Sequence, residues 1–519
     1  MPNIVFVCIC SVLPSALPAA SSKATPLHQS IDAQIAVGNY SKQAAPICTD
    51  AEFLRRVTLD LTGAIPTAAQ TRTFLDDKSA DKRARKIDAL LASAEYARHM
   101  TYVVDSLLMD RRPDKHVTSA EWQKYLRESF AANKPYDVLV REILSADGAD
   151  AKNRAPARFL LDRDAEPHQV TRDISRVFLG MNLTCCQCHD HPNVSQYKQD
   201  HYYGILAFLA RTQVAADVKP TALGEKADGD TTFTSVFDTA KVIHTASLRL
   251  PSGNAIAEPK SVKGKEYKVA PAKGVRPIPN FSRRAQLGPT VVASRQFART
   301  TANRLWALMM GRGLIHPVEY DHAANPPSHP KLLDQLTDAL ITAKFDLRWM
   351  FRELALSATY QRASAWPTEK EPDAAKYLTM SLKPLHAEQL AWSLMQATDL
   401  PESQRNEGTV RTFVGTFAGR PGEPAADFQV TLEQTLFVAN GPVLRQWLAR
   451  PGGLADRASK LKDDATAEEL FLAIYTRRPT TDEIREVTAY LRGRDKDRSA
   501  AVQEMAWAMI ASVEFRFNH

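Results

Sequence analysis

The chain has 519 residues, of which 44% are hydrophobic and 24% are charged. This composition is typical of folded globular proteins and excludes a mainly disordered chain, and the length predicts two or three domains rather than one core. The net charge is +7, but lysine and arginine are spread along the chain together with the acidic residues. Nucleic-acid binders usually concentrate positive charge on one stripe and add an aromatic platform, so we expect no nucleic-acid partner.

Residues 1–20 predict a secretory signal peptide. An apolar run that starts at Ile4 ends in small residues near Ala20, which is typical of a cleavage site, although no lysine or arginine precedes the run. A buried N-terminal segment is the alternative interpretation. No later stretch approaches the roughly 18 uninterrupted apolar residues of a membrane span. We therefore expect an exported protein, periplasmic or extracellular, without a membrane span in the mature chain.

The spacing of apolar residues predicts an N-terminal helical domain over residues 27–211. Gly63 is a stop signal for its first long helix, and Pro167 and Gly180 mark the start and end of a later one. The predicted helices lie at 51–63, 66–75, 81–95, 97–109, 119–132, 135–146, 167–180 and about 200–211.

The character of the sequence changes over residues 212–285, which we predict to be a β-rich insert or linker. Residues 231–237 and 246–250 have strand-like composition, and residues 251–254 have the composition of a turn. Much of the remainder is rich in lysine, proline and glycine, which indicates irregular backbone.

A C-terminal helical domain is predicted over residues 286–519, with helices resuming from Pro289 onward. One of these helices is predicted at 331–343, with Ser328 as its N-terminal cap. The predicted fold class is therefore mainly α, with two helical domains and a small β-rich insert or linker module between them.

The residues with the sharpest chemical character form one short segment, Cys185-Cys186-Gln187-Cys188-His189-Asp190-His191-Pro192. Outside the predicted signal peptide, the remaining cysteine is Cys48. Such clustering indicates a metal, haem or redox centre and not the spread cysteines of a disulfide framework. The segment is predicted to be a loop between two helices, where a rigid scaffold presents it.

Three residues of this segment, Cys185, Cys188 and His189, match the pattern of covalent c-type haem attachment. Two thiols three residues apart can both add to the vinyl groups of a porphyrin, while the next imidazole ligates the iron. Attachment occurs outside the cytoplasm, in agreement with the signal peptide. We expect electron transfer with a redox partner protein. The candidates for a second axial ligand are Met181, His168, His201, Met309 and Met310.

The same segment also fits a metal ion. Cys185, Cys188, His189 and His191 supply two thiolates and two imidazoles, a ligand set suited to zinc or iron. The protein would then be a metal-dependent enzyme acting on a surface polymer or a small molecule, with an open position on the ion for water. The sequence assigns no catalytic residue, and it does not give the oligomeric state.

Two further interpretations use the cysteines alone. Cys185 and Cys188 form a Cys-x-x-Cys pair, which can act as a reversible disulfide when a nearby histidine lowers a thiol pKa. Alternatively, Cys186 or Cys188 is bonded to Cys48 in a structural disulfide. The loop would then be structural, in a binding or assembly module without catalytic activity.

Several sequence blocks carry a family resemblance. In the first half these are Phe53-Leu54-Arg55-Arg56-Val57 with Leu59-Asp60-Leu61-Thr62-Gly63, Asn133-Lys134-Pro135-Tyr136-Asp137, and the cysteine segment with Asp200-His201-Tyr202-Tyr203-Gly204 behind it. They resemble the planctomycete cytochrome-type domain of unknown function. In the second half, Asn303-Arg304-Leu305-Trp306, Asn325-Pro326-Pro327 and the terminal Glu514-Phe515-Arg516-Phe517-Asn518-His519 resemble its usual companion domain, also of unknown function.

The resemblance implies a cytochrome only through the Cys-x-x-Cys-His pattern, since the family has no settled activity. One departure is Cys186, because the family usually has a small residue such as alanine there. The extra thiol either pairs with Cys48 or competes with Cys185 during haem attachment.

Overall fold

A computed structural model describes residues 25–36, 44–260, 262–366, 368, 370–418, 434, 437 and 441–519. The predicted signal peptide, residues 1–20, lies outside the described residues. The described part of the chain is mainly helical, and its strands form two-stranded antiparallel sheets. The predicted fold class, mainly α with small β elements, is confirmed.

The first part of the chain is a succession of helices, most of them with side-chain caps. Thr49 accepts a hydrogen bond from the Glu52 N–H at the start of the second helix, and Thr118 and Glu121 form a reciprocal capping box at the sixth. The helices are α1 (Leu27–Ile35), α2 (Asp50–Thr62), α3 (Ala68–Asp76), α4 (Lys82–Leu91), α5 (Ala94–Met109), α6 (Ser119–Ala131), α7 (Tyr136–Ser145), α8 (Ala151–Arg154), α9 (Arg158–Leu161), α10 (Pro167–Leu179) and α11 (Gln199–Leu209).

The second part resumes helical structure after the β-rich segment. Its helices are α12 (Arg283–Ala293), α13 (Arg295–Met310), α14 (Pro330–Thr342), α15 (Leu347–Leu356), α16 (Ala387–Ala397), α17 (Glu407–Phe417), α18 (Pro442–Leu448), α19 (Leu454–Ser459), α20 (Asp463–Ile474), α21 (Thr481–Arg492), α22 (Arg498–Ala511) and α23 (Val513–Arg516). In the described part of the chain, no helix has the length and apolar character needed to cross a membrane.

The described residues also form four short antiparallel strand pairs. Three lie between α11 and α12, and the fourth joins a segment before α16 to the end of the chain. The pairs are β1 (Thr212–Ala215) with β2 (Ala222–Glu225), β3 (Thr232–Phe233) with β4 (His244–Thr245), β5 (Tyr267–Val269) with β6 (Ile278–Pro279), and β7 (Lys383–Pro384) with β8 (Phe517–Asn518).

Three local predictions were wrong. Residues 246–250 do not form a strand; they follow β4 as irregular backbone, and their alternation reflects burial of Leu248 and Leu250. Helical structure resumes at Arg283 rather than after Pro289, which lies inside α12. Ser328 does not cap α14, because the cap position is His329 and the Ser328 hydroxyl contacts the His329 ring instead.

The buried apolar side chains of the described residues form two clusters. The first extends from Leu27 to Met380, and the second from Leu385 to Phe515. The second also includes Leu59 of α2, so α2 contributes to both cores. The predicted domain boundaries stay a prediction.

A buried polar network on α2 joins the two cores. The Asp60 carboxylate accepts hydrogen bonds from Lys383 Nζ (2.6 Å), Asn518 Nδ2 (2.7 Å) and the Tyr360 hydroxyl (2.7 Å). The fully buried Arg55 guanidinium donates to backbone carbonyls near the chain terminus, including that of Phe515 at 2.8 Å. The opening block of the first half and the closing block of the second half therefore meet in one network.

Gly63 is required at the end of α2 for two reasons. Its φ is +72°, in the left-handed region, and an added Cβ would lie 2.5 Å from Nδ1 of the buried His99. Gly274 has nearly the same φ, +71°, but nothing lies within 4 Å of its Cβ position. Gly274→Ala therefore isolates the backbone strain, which costs about 1–2 kcal/mol. We expect Gly63→Ala to lower the free energy of unfolding by more than this control in chemical denaturation; equal losses would contradict the steric contact.

Candidate functional site

The cysteine segment lies between α10 and α11, as predicted. Gly180 ends α10 with a φ of +63°, and Met181 then pairs with Tyr320 in an isolated β-bridge. The Asn182 N–H donates to the Glu319 carbonyl at 2.9 Å. A short 3₁₀ turn, Thr184–Gln187, follows. Residues of the second half of the chain therefore fix the start of the loop.

The three clustered thiols differ in exposure. Cys185 and Cys188 are exposed, whereas Cys186 is completely buried, and burial raises the pKa of its thiol to about 12. All four described cysteines are free thiols. Cys48 is buried beside Arg56, whose Nη1 lies 3.8 Å from its Sγ. The hypothesised disulfide to Cys48 is therefore not formed, because that thiol packs at the start of α2.

His189 is oriented by its neighbours. Its Nδ1 lies 2.6 Å from the Asp190 carbonyl oxygen, and its ring centroid lies 4.7 Å from that of Phe237. A neutral imidazole that donates from Nδ1 to a carbonyl has Nε2 as its free electron-pair donor. The geometry therefore suits ligation of a metal centre through Nε2.

His191 makes different contacts from those of His189. Its Nδ1 accepts hydrogen bonds from the N–H groups of Asn193 (3.2 Å) and Val194 (3.1 Å), and its ring contacts Tyr197 edge-on. Within the described ranges, no group of three or more histidine, cysteine, aspartate or glutamate side chains is placed to hold a metal ion. The structure does not bring the two thiols and two imidazoles of the ion hypothesis together.

The polar residues of the motif fasten the loop to α10 and α11. The Asp190 carboxylate accepts from the Gln199 N–H (2.8 Å) and from Lys198 Nζ (2.9 Å). Burial opposes ionisation of Asp190, but these hydrogen bonds prevail and lower its pKa. Gln187 accepts from Arg172 of α10 at 2.8 Å, and its carbonyl accepts from the Tyr203 hydroxyl at 3.1 Å. These contacts keep the loop in one conformation.

The β3–β4 hairpin, residues 232–245, lies against this loop; we call it the flap. The Val236 N–H donates to the Cys188 carbonyl at 3.0 Å. Four apolar side chains of the flap are exposed: Val236 (66%), Phe237 (73%), Val242 (49%) and Ile243 (73%). The sequence indicated a strand-like segment here but no contact with the cysteines.

The candidates for a second axial ligand lie in different parts of the structure. Met309 and Met310 are core residues of α13 with at most 1% exposure, which argues against ligation at an exposed loop. His168 uses Nδ1 in a 2.9 Å contact with the Tyr202 hydroxyl. Met181 and His201 line a cleft of about 370 Å³ that adjoins the end of the loop.

This cleft combines residues of both halves of the chain. Tyr197 connects it to the loop, because its ring contacts His191 on one side and His322 on another. The Tyr197 hydroxyl also donates to the Asp321 carbonyl at 3.0 Å. No sequence motif marked Asp321 or His322 as residues of a cleft; the neighbouring Asn325-Pro326-Pro327 block was the only signal.

Two family models match the chain. The first, PSCyt2, described as a protein of unknown function (DUF1549), matches residues 29–214, and the second, PSD1, described as a protein of unknown function (DUF1553), matches residues 283–419. Together they span more than half of the chain. No curated protein and no solved structure matches it. The chain is therefore a member of the proteins in which a PSCyt2 domain is followed by a PSD1 domain.

Proposed function

We propose that the protein is an extracytoplasmic haem c protein that transfers electrons. Cys185 and Cys188 would tether the haem, and His189 would ligate its iron. The observation that carries the proposal is the position of two exposed thiols beside a flap of exposed apolar side chains. The predicted signal peptide supports it, because covalent attachment takes place outside the cytoplasm.

The backbone of the loop supports attachment at two thiols. In a 3₁₀ turn, side chains three residues apart are eclipsed, and the Cys188 N–H donates to the Cys185 carbonyl at 3.2 Å. The two exposed thiols therefore lie on the same side of one turn. The intervening Cys186 is buried, and its raised pKa keeps it as an inert thiol. We infer that it does not compete with Cys185.

The flap supports the proposal because its apolar side chains are exposed to water, which is unfavourable. Contiguous exposed apolar side chains mark a surface that another group covers, and Phe237 extends this surface to the ring of His189. A porphyrin ring is apolar over both faces and would cover such a surface. Haem supplies a one-electron couple when bound. The loop and flap residues would orient it, exclude water from one face and position the axial imidazole.

One test is the absorption spectrum of the exported protein after denaturation. The full chain would be produced in a host that matures c-type haem, denatured, and reduced in alkaline pyridine. We expect the absorption bands of one covalently bound haem per chain. The same chain retained in the cytoplasm is the control and is expected to show none. An exported protein without these bands would contradict the proposal.

The flap makes a second prediction. Replacing Phe237 and Ile243 together with serine is expected to lower the midpoint potential of the haem, because greater water access favours the more charged oxidised form. Val262→Ser is the matched control, since Val262 is 66% exposed, close to the 73% of Phe237 and Ile243, but lies outside the flap. Spectroelectrochemical titration measures both variants. Equal potentials in the flap variant and the unsubstituted protein would exclude contact between flap and haem.

A further inference from the structure

The cleft beside the loop contains none of Cys185, Cys188 and His189, and it is large enough for a small molecule. Its volume is about 370 Å³, within the range of small-molecule pockets. At roughly 30 Å³ for each water, it holds about a dozen waters. This is more than enough room for one six-carbon sugar.

Three planar polar side chains of the cleft use one of their polar atoms in hydrogen bonds to the protein and leave the other polar atom free for a ligand. Gln196 accepts from the Ala323 N–H with Oε1 (2.7 Å), which leaves its amide N–H groups for a ligand. Gln296 donates from Nε2 to the Leu179 carbonyl (2.8 Å) and to Asp321 Oδ2 (3.0 Å), which leaves its oxygen.

Asp321 is the third such group. Its Oδ2 accepts from Arg299 Nε at 2.9 Å and from the Gln296 amide. Among the described residues, Oδ1 of Asp321 has no hydrogen-bond partner. The cleft thus presents oriented donors and oriented acceptors side by side. A hydroxyl group requires this combination, because it both donates and accepts.

The cleft offers no unbalanced charge to an ionic ligand. Arg299 pairs with Asp321 and also with Asp334 at 3.2 Å. Charged ligands therefore find no dominant counter-charge.

Besides Ser252 and two histidines, the remaining walls are apolar. The apolar walls include Tyr197, Leu250, Pro251, Pro326 and Pro327. Rigid apolar walls suit the C–H faces of a saturated ring, while the planar polar groups suit its hydroxyls. Cleft size, charge balance and wall chemistry all point to the same class of ligand.

We propose that this cleft binds a neutral, polyhydroxylated ring of monosaccharide size. The proposal is independent of the haem proposal, because none of its steps uses Cys185, Cys188 or His189. A chain that lacks haem would still bind the sugar, and a chain that binds no sugar could still attach haem. Each proposal can therefore be contradicted without contradicting the other.

The test is isothermal titration of the full-length protein with methyl glycosides of glucose, galactose and mannose. Glucuronate and glucosamine serve as charged analogues of similar size. Two variants locate the binding: Ala323→Trp fills the cleft, whereas Ala324→Trp places the same side chain on the adjacent exposed position outside it. Circular dichroism checks that both variants fold.

We expect at least one neutral glycoside to bind with a Kd of about 1 mM or lower. Ala323→Trp is expected to weaken that binding by about tenfold or more, which is about 1.4 kcal/mol, and Ala324→Trp to leave it unchanged. The charged analogues are expected to bind more weakly. The proposal is overturned if no neutral glycoside binds, if binding persists in Ala323→Trp, or if a charged analogue binds more tightly.

Discussion

Replacing Asp60 with alanine is expected to lower the free energy of unfolding by about 3–5 kcal/mol. The buried carboxylate is the partner of Lys383 and also accepts from Tyr360 and Asn518. Its removal leaves the Lys383 ammonium, which is largely buried, without a counter-charge. An unpaired buried charge costs far more than the lost hydrogen bonds alone.

Urea denaturation followed by far-ultraviolet circular dichroism measures this loss. The matched control is Asp88→Ala, because Asp88 pairs with Arg352 across an exposed surface at 2.6 Å. Exposed pairs contribute about 0–1 kcal/mol, so the control is expected to change little. Adding Lys383→Met to Asp60→Ala should recover part of the loss, since no unpaired charge then remains. A loss no greater than that of Asp88→Ala would contradict the role of this network.

Replacing Cys185 and Cys188 together with alanine is expected to abolish covalent haem attachment. Both thiols are exposed on one turn, and each would form one thioether bond. The matched control is Cys186→Ala, which removes the neighbouring buried thiol and introduces the residue usual in the family. Because Cys186 faces the interior, we expect the control to retain full attachment.

Haem-dependent peroxidase staining after denaturing electrophoresis measures attachment in this series. Each single variant, Cys185→Ala and Cys188→Ala, retains one thiol and is expected to stain more weakly than the unsubstituted protein. Loss of staining in Cys186→Ala with retention in Cys185→Ala would show that attachment uses a different pair. That result would contradict the geometric argument from exposure.

Local signals in the sequence were sufficient for the long helices in the first half of the chain. Gly63 marks the end of α2, and Pro167 and Gly180 mark the two ends of α10, so these signals predicted the helix ends to within about one residue. The error at α12 has a tertiary cause. This helix packs so closely on α7 that a Cβ on Gly288 would lie 2.5 Å from Ser145 Oγ, and packing tolerates the internal proline.

The sequence predicted only one part of the candidate site, the loop. The loop residues are contiguous, so their spacing alone predicted the chemistry. The flap and cleft depend on contacts between distant residues, such as that of Tyr197 with Asp321, which are 124 positions apart. No periodicity or motif encodes such a contact. The contact between Asp60 and Lys383, which are 323 positions apart, was not predicted for the same reason.

The intact mass of the exported protein tests the haem proposal most directly. The full chain, produced with and without a c-type haem maturation system, would be analysed under denaturing conditions. We predict a mass increase equal to one haem, present only with the maturation system. An unmodified mass would contradict haem attachment, and a mass lower by two hydrogens would contradict it in favour of a Cys185–Cys188 disulfide.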